Sequence, residues 1–284
     1  MITDSQVHIW EVDRPDRPWP QPPRNEPQLP NGFSVDEMMA EMDRAGVERA
    51  VIVPPTWVGE GNETALDVTR VHPRRFAIMG RIDIKRPELK DAMASWKQQP
   101  GMLGVRHTFR TEPFFSWFKN GDYDPFWDAA EEYDVPVMCL VPSMPAALDP
   151  IAAKHPGLTL IVDHMACALN QKGAAAFDAI DDLLALAKYP NVFVKVSSAP
   201  CFSNDPYPFD DINPFIKRIY EAFGAQRLMW GADRTRLTST YEECVRHFSE
   251  GLDFLSEEDR EWILGKTLTT TVLKWPERKR GEMP

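Results

Sequence analysis

Cysteine is scarce in this 284-residue chain: Cys139, Cys167, Cys201 and Cys244 are its four, far apart and in no C-x-x-C spacing. That distribution leaves no basis for a zinc ribbon or a thioredoxin-like redox site, and reduced thiols are expected. Positive charge is also in deficit, with 32 Lys and Arg against 43 Asp and Glu. The resulting formal net charge of −11 opposes the clustered-cation attraction that nucleic acid or an anionic membrane surface requires, so neither is an expected partner. No apolar stretch reaches the ~20 residues of a membrane-spanning helix. The first strand-like run opens at Ile2, without the charged and apolar segments of a secretory leader ahead of it. A cytoplasmic protein acting on a small molecule is the expectation. Internal repeats and low-complexity tracts are missing too, and the basic tail at residues 277–280 is short enough to read as a solvated end.

What is present is the material of a large core. With 43% hydrophobic, 11% aromatic and 26% charged residues, the composition is that of a globular protein. Short β-branched or apolar runs occur at residues 2–10, 49–54, 76–84, 103–109, 136–141, 158–165, 192–197 and 228–233, eight in all. Amphipathic stretches separate most of them, at residues 35–45, 60–71, 87–98, 125–133, 174–187 and 212–223. The first of these is opened by Ser34 and Glu37 in capping-box spacing and stops before Gly46. Alternating strand and helix units imply an α/β protein with a parallel sheet. Eight such units close most economically into a single (β/α)8 TIM barrel, here a distorted one spanning residues 1–284. Residues 11–33 hold seven prolines and no period, which predicts a long ordered loop after the first strand, lying over the barrel mouth.

A barrel of this kind carries its chemistry at the carboxyl ends of its strands. Six strand ends offer a suitable group: Gln6 with His8, Thr56, Arg81, Arg106 with His107, His164, and Asp233. Gln6 and His8 are two apart and share one face of their strand, while Val7 and Ile9 share the other, so one of these pairs faces the barrel interior. His164 follows the apolar run Leu160, Ile161, Val162 and Asp163, where a titratable ring is either buried with a partner or at work. The pair His8 and His164 points to catalysis; His107 and His72 read as packing or hydrogen-bonding residues. Asp233 reads equally as a base at the last strand or as the cap of the turn that follows. Arg106 at the mouth suits a carboxylate, whereas Arg81, Arg234 and Arg236 read first as ion-pair residues and second as helpers in anion binding. Lys195 reads as structural or supporting, and the cluster Phe114, Phe115, Trp117 and Phe118 as core or lid packing.

Lined up in order, these residues resemble the amidohydrolase superfamily, in its branch of amidohydrolase-related lactonases and decarboxylases, over nearly the whole chain. The opening run ITDSQVHIW is similar to the family's D-x-H-x-H-x-W strand, and MDRAGVERAV at residues 42–51 to its first helix-to-strand junction. Further on, GVRH at residues 104–107 is similar to the G-V-R strand of sugar-lactone and pyrone-lactone hydrolases, VDHM at 162–165 to their D-H strand, and WGAD at 230–233 to the G-S-D end of strand eight. The resemblance implies hydrolysis of a lactone of a small carboxylated or aromatic-derived acid. Asp233 is then the general base, and His8 and His164 donate hydrogen bonds to the carbonyl oxygen. Arg106 anchors a substrate carboxylate, with Gln6, Thr56, Arg81 and Arg234 beside it in the substrate-binding set.

The pattern is broken in two places. Gln6 stands where the family has its first strand-one histidine, and an amide is a poor zinc ligand. The fifth run, Val137, Met138, Cys139 and Leu140, has no histidine, nor does a lysine end the fourth. Both departures argue against a binuclear site, and the metal-free version, resembling 2-pyrone-4,6-dicarboxylate lactonase, is expected, with no cofactor. A single divalent ion such as zinc would have His8, His164 and Asp233 as its ligands, since three protein ligands and an open position suffice. Two rivals follow from the same residues: a metal-dependent decarboxylase, and a noncatalytic ligand-binding barrel. The expected partner is an anionic lactone, and self-association into a homo-oligomer stays open.

Overall fold

The computed structural model describes residues 1–21 and 25–275, so Pro22 and Pro23 of the proline-rich loop and the basic tail at residues 277–280 lie outside the described residues. One sheet of eight strands runs in the order β1 to β8, each strand parallel to the next. The strands are β1 (Ile2–Val7), β2 (Val47–Ile52), β3 (Phe76–Gly80), β4 (Met102–Thr108), β5 (Val137–Leu140), β6 (Leu160–Val162), β7 (Val192–Ser197) and β8 (Leu228–Gly231). Helices alternate with them: α1 (Val35–Ala45), α2 (Glu63–Val71), α3 (Leu89–Ala94), α4 (Phe114–Lys119), α5 (Asp124–Glu132), α6 (Asp149–Lys154), α7 (Ile180–Ala185) and α8 (Asn213–Phe223). After β8 come α9 (Tyr241–Arg246), α10 (Glu257–Glu261) and a π-helical segment, Trp262–Val272. The chain is a (β/α)8 barrel.

Closure between β8 and β1 relies on a side chain. The Asp233 N–H donates to the Gln6 carbonyl at 3.0 Å. Asp4 Oδ1 accepts from the Gln6 N–H at 2.9 Å and from the Ala232 N–H at 3.0 Å, while Oδ2 accepts from the Tyr241 hydroxyl at 2.8 Å. One buried carboxyl thus supplies acceptors that a regular ladder would take from the backbone. Register shifts in the β1/β2 pairing mark the same distortion.

Side-chain alternation decides which residues meet inside the barrel. Val51, Val53, Ala77, Met79, Met138, Ile161, Phe193 and Met229 form an inner layer, closed from below by Leu268, Val272, Leu273 and Trp275. Their strand neighbours Ala50, Ile52, Phe76, Ile78, Val105, Val137, Leu160, Val194 and Trp230 pack outward with the helices. The same parity carries Arg106, Asp163 and Lys195 inward. In β1, Val7 packs with the outer layer, so Gln6 and His8 are the interior pair. His107 points outward, edge-on to Tyr123 and Phe126 with ring centroids 5.2 and 4.9 Å away.

Several strands end sooner than their apolar runs. Beyond β3 the Asn62 side chain takes both Arg81 backbone groups, at 2.8 and 2.9 Å, in place of a neighbouring strand. β6 stops at Val162 because His164, Met165 and Ala166 all have positive φ, near 50°. The stretch expected as one helix at residues 174–187 divides into a 3-10 turn, Gly173–Phe177, and α7. Among the described residues no helix is long and apolar enough to cross a membrane.

Buried His247 donates from Nε2 to Asn213 Oδ1 at 2.7 Å, and burial pushes its imidazole down to about 4. An unfolded chain takes up this proton near pH 6.5, whereas the folded chain refuses it until pH falls to about 4. Stability from this group is therefore full above pH 6.5 and lost as pH falls to about 4, on the order of a few kcal/mol. Urea unfolding at pH 7.5 and 4.5 should show a shallower acid loss for His247→Gln than for the natural chain; equal slopes would remove His247 from the acid response.

Candidate active site

A cavity of about 300 Å³ opens at the carboxyl ends of the strands, with Gln6, His8, Arg106, His164 and Asp233 in its wall. A larger cleft of about 580 Å³ lies between the proline-rich loop and α2, away from these groups. Asp233 and His164 reach the smaller cavity from the first turns after β8 and β6, both in the left-handed conformation, with φ of 51° and 50°. Such backbone costs roughly 1–3 kcal/mol per residue outside glycine and is characteristic of sites that aim a side chain. The Asp233 side chain makes no capping hydrogen bond to the turn Arg234–Arg236 that it precedes. Instead Oδ1 lies 3.1 Å from His8 Nε2, and Oδ2 lies 3.6 Å from both His164 Nε2 and Arg236 Nη1.

Each imidazole is held from behind. His8 Nδ1 lies 2.6 Å from the Val53 carbonyl, which can only accept, so Nδ1 carries a proton. Its Nε2 is the hydrogen-bond partner of Asp233 Oδ1. His164 Nδ1 meets the hydroxyls of Ser197 and Ser198 at 2.8 and 3.2 Å, and the Ser198 hydroxyl donates to Asp233 Oδ2 at 3.2 Å. Gln6 lies between the rings, its Nε2 3.3 Å from His8 Nε2 and 3.4 Å from His164 Nε2.

The other expected residues divide by where their side chains go. Arg106 lines the cavity, with Nε donating to Asp163 Oδ2 at 3.0 Å and Nη1 to Thr108 Oγ1 at 2.7 Å. Thr56 also lines it and donates to Asn25 Oδ1, a residue of the proline-rich loop. Two arginines are directed elsewhere. Arg234 forks onto Glu41 of α1 at 2.7 and 2.8 Å, and Arg81 lies 3.7 Å from Glu60; neither lines the cavity. Their places at the mouth are taken by Arg236 and by Arg110, which strand-end reasoning missed because it lies two residues beyond β4.

The family model described as Amidohydrolase matches residues 3–267. The chain belongs to the amidohydrolase family. It is 26% identical over 231 residues to the L-fucono-1,5-lactonase of Burkholderia ambifaria, covering 81% of this chain and 79% of that one. It is likewise 26% identical over 215 residues to the 4-sulfomuconolactone hydrolase of Rhizobium radiobacter, covering 73% of this chain and 68% of that protein. Among solved structures, an amidohydrolase from Burkholderia multivorans with bound zinc shares the fold at a TM-score of 0.79 and 20% identity, covering 97% of this chain and 100% of that one. This chain is thus an enzyme, a hydrolase of that family.

The electrostatics of this amidohydrolase separate its titratable groups. Burial alone would raise the Asp233 carboxyl, but His8, His164 and Arg236 hold it well below the usual carboxylate range. Burial pushes the His164 imidazole down to about 3 against the pull of Asp233 and Asp163, so the ring is neutral at pH 7. Asp163, opposed by burial, is brought down to about 2 by Lys195 and Arg106. Arg110 is lowered by burial and then by the like charges of Arg236 and Arg106, the signature of a cationic rim.

The Gln6 amide offers a divalent ion no ligand on the side of the two imidazoles. Lys195 can only donate, so its contact with Gln6 Oε1 turns the amide nitrogen, which has no lone pair to offer, toward both imidazoles. An ion there would also sit near a buried ammonium. Among the described residues no group of three or more His, Cys, Asp or Glu side chains has a metal-holding arrangement.

Proposed function

We propose that this amidohydrolase opens a lactone of a small anionic acid by direct attack of water, with Asp233 as general base and no metal. The observation that carries the reading is Asp233: buried, ionised, its Oδ1 engaged by His8 alone at 3.1 Å among the described residues, and in the wall of a cavity that also presents three arginines. A carboxylate oxygen with a spare lone pair can take a water proton as the water oxygen adds to the lactone carbonyl. His8 and the Gln6 amide then donate to the carbonyl oxygen as negative charge develops, joined by His164 when the Ser197 hydroxyl donates to its Nδ1. Collapse of the tetrahedral adduct breaks the ring C–O bond, and the proton held by Asp233 passes to the departing alkoxide. The product is an open hydroxy acid.

Relatives named as lactonases support the reaction class, and the name of one, a sulfomuconolactone hydrolase, supports an anionic ring substrate. Arg106, Arg110 and Arg236 suit the same charge. The Gln6–Lys195 contact supports a metal-free site and so weighs against the metal-dependent decarboxylase. A single catalytic domain over residues 1–284, working in the cytoplasm, belongs to the same proposal.

The test is turnover of carboxylated, sulfonated and neutral lactones by exhaustively chelated protein, with metal content measured alongside. Hydrolysis of an anionic lactone at well under one metal ion per chain is expected. Failure across the whole set would sink the lactonase reading. Stoichiometric zinc, with activity lost on chelation and restored on zinc addition, would overturn the metal-free mechanism.

A further inference from the structure

A fully buried charge pair that the proposed mechanism leaves unused lies beneath the cavity. Lys195, in β7, has a fully buried side chain. Its ammonium pairs with Asp163 Oδ1 at 2.9 Å, donates to Gln6 Oε1, and turns its remaining side to the Met138 thioether at 3.7 Å. Neither Lys195 nor Asp163 lines the cavity, so neither can touch a substrate there; Gln6 and Arg106 do line it.

We propose that Lys195 is a positioning residue for hydrolysis, acting through Gln6, with Asp163 as the frame that holds it. The proposal rests on the lactonase reading above. A glutamine amide in a cavity has two orientations that differ only in which atom faces the reaction. An ammonium has three donors and no acceptor, so it admits only the orientation with Oε1 toward itself. The NH2 group is then directed at the space beside His8 and His164, where the carbonyl oxygen gains its charge. Asp163 divides its oxygens between Lys195 and Arg106, at 2.9 and 3.0 Å. One carboxylate thereby registers the amide donor against an arginine of the cationic rim. Stability alone gives weak grounds for this arrangement, since buried ion pairs are often replaceable by apolar side chains without loss.

A double-mutant cycle on the complete protein tests the proposal, using Lys195→Met, Gln6→Ala and the two combined. Lys195→Met should lower kcat for an anionic lactone by about 10- to 100-fold, short of the ~10²- to 10³-fold loss of an oxyanion donor, with KM little changed. In the Gln6→Ala background the same change should cost almost nothing further. Independently of turnover, the Gln6 side-chain amide resonances, assigned by their loss in Gln6→Ala, should shift and lose their distinct positions in Lys195→Met. If Lys195→Met fails to fold because Asp163 keeps an unbalanced charge, Lys195→Met with Asp163→Asn carries the same comparisons. Additive losses, or unchanged amide resonances, would overturn the role given to Lys195. Absence of any lactone turnover in the natural chain overturns the lactonase reading instead, and the resonances still decide whether Lys195 holds Gln6.

Discussion

Asp233→Asn is expected to lower kcat for lactone hydrolysis by about 10²- to 10⁴-fold, the usual worth of a general base, with KM little changed. The substitution keeps the shape, and Asn tolerates the left-handed backbone better than most residues, so φ of 51° at this position is no obstacle to folding. What disappears is the ability of Oδ1 to accept a water proton. The variant should also melt near the natural temperature, with the Ser198 hydroxyl still donating to the amide oxygen. Near-natural turnover would remove Asp233 from the mechanism. The same depressed carboxyl predicts an acid limb of kcat/KM below the ordinary carboxylate range: Asp233 stays ionised as pH falls, and the rate declines only when it is protonated.

Arg106→Met is expected to raise KM for a carboxylated lactone by about 10- to 100-fold, as fits loss of a charged hydrogen bond worth ~1.5–3 kcal/mol. Its Nε and Nη1 already hold Asp163 and Thr108, which fixes the guanidinium plane and leaves Nη2 without a hydrogen bond among the described residues. A neutral lactone of the same ring size should lose far less. Arg106 also balances Asp163, however, and the variant leaves that carboxylate to Lys195 alone. Equal losses for charged and neutral substrates, together with a lowered melting temperature, would assign Arg106 to holding the barrel together.

The barrel was legible because its strands are buried on both faces and separated by amphipathic stretches, so eight runs could be counted. Alternation in β1 narrowed the interior face to two pairs, and the outward packing of Val7 leaves Gln6 and His8 inside. The contents of the barrel were harder to read, because closure pairs residues far apart in sequence. Asp163 meets Arg106 and Lys195 only when β4, β6 and β7 face one another, and Lys195 alone gives no sign of reaching Gln6. The arginines show a second limit. Arg234 and Arg236 are two apart in one short turn, yet the turn after Asp233 sends the first to Glu41 and the second to Asp233. Spacing after a positive-φ residue does not set direction. Arg81 sits where a strand end was expected, but Asn62 captures its backbone and its side chain runs beside Glu60. The seam carboxyl, Asp4, was visible only as a letter in a family motif; its work appears once Ala232 and Tyr241 are beside it.

The central claim is that water activated by Asp233 attacks the lactone directly, and a single turnover in ¹⁸O-enriched water tests it most directly. With enzyme in excess over an anionic lactone, the product carboxylate should carry one ¹⁸O atom and Asp233 none, as read by mass spectrometry of the product and of the peptide containing Asp233. Label in the Asp233 carboxylate, with an unlabelled product, would show that Asp233 had attacked the carbonyl itself and would contradict the account.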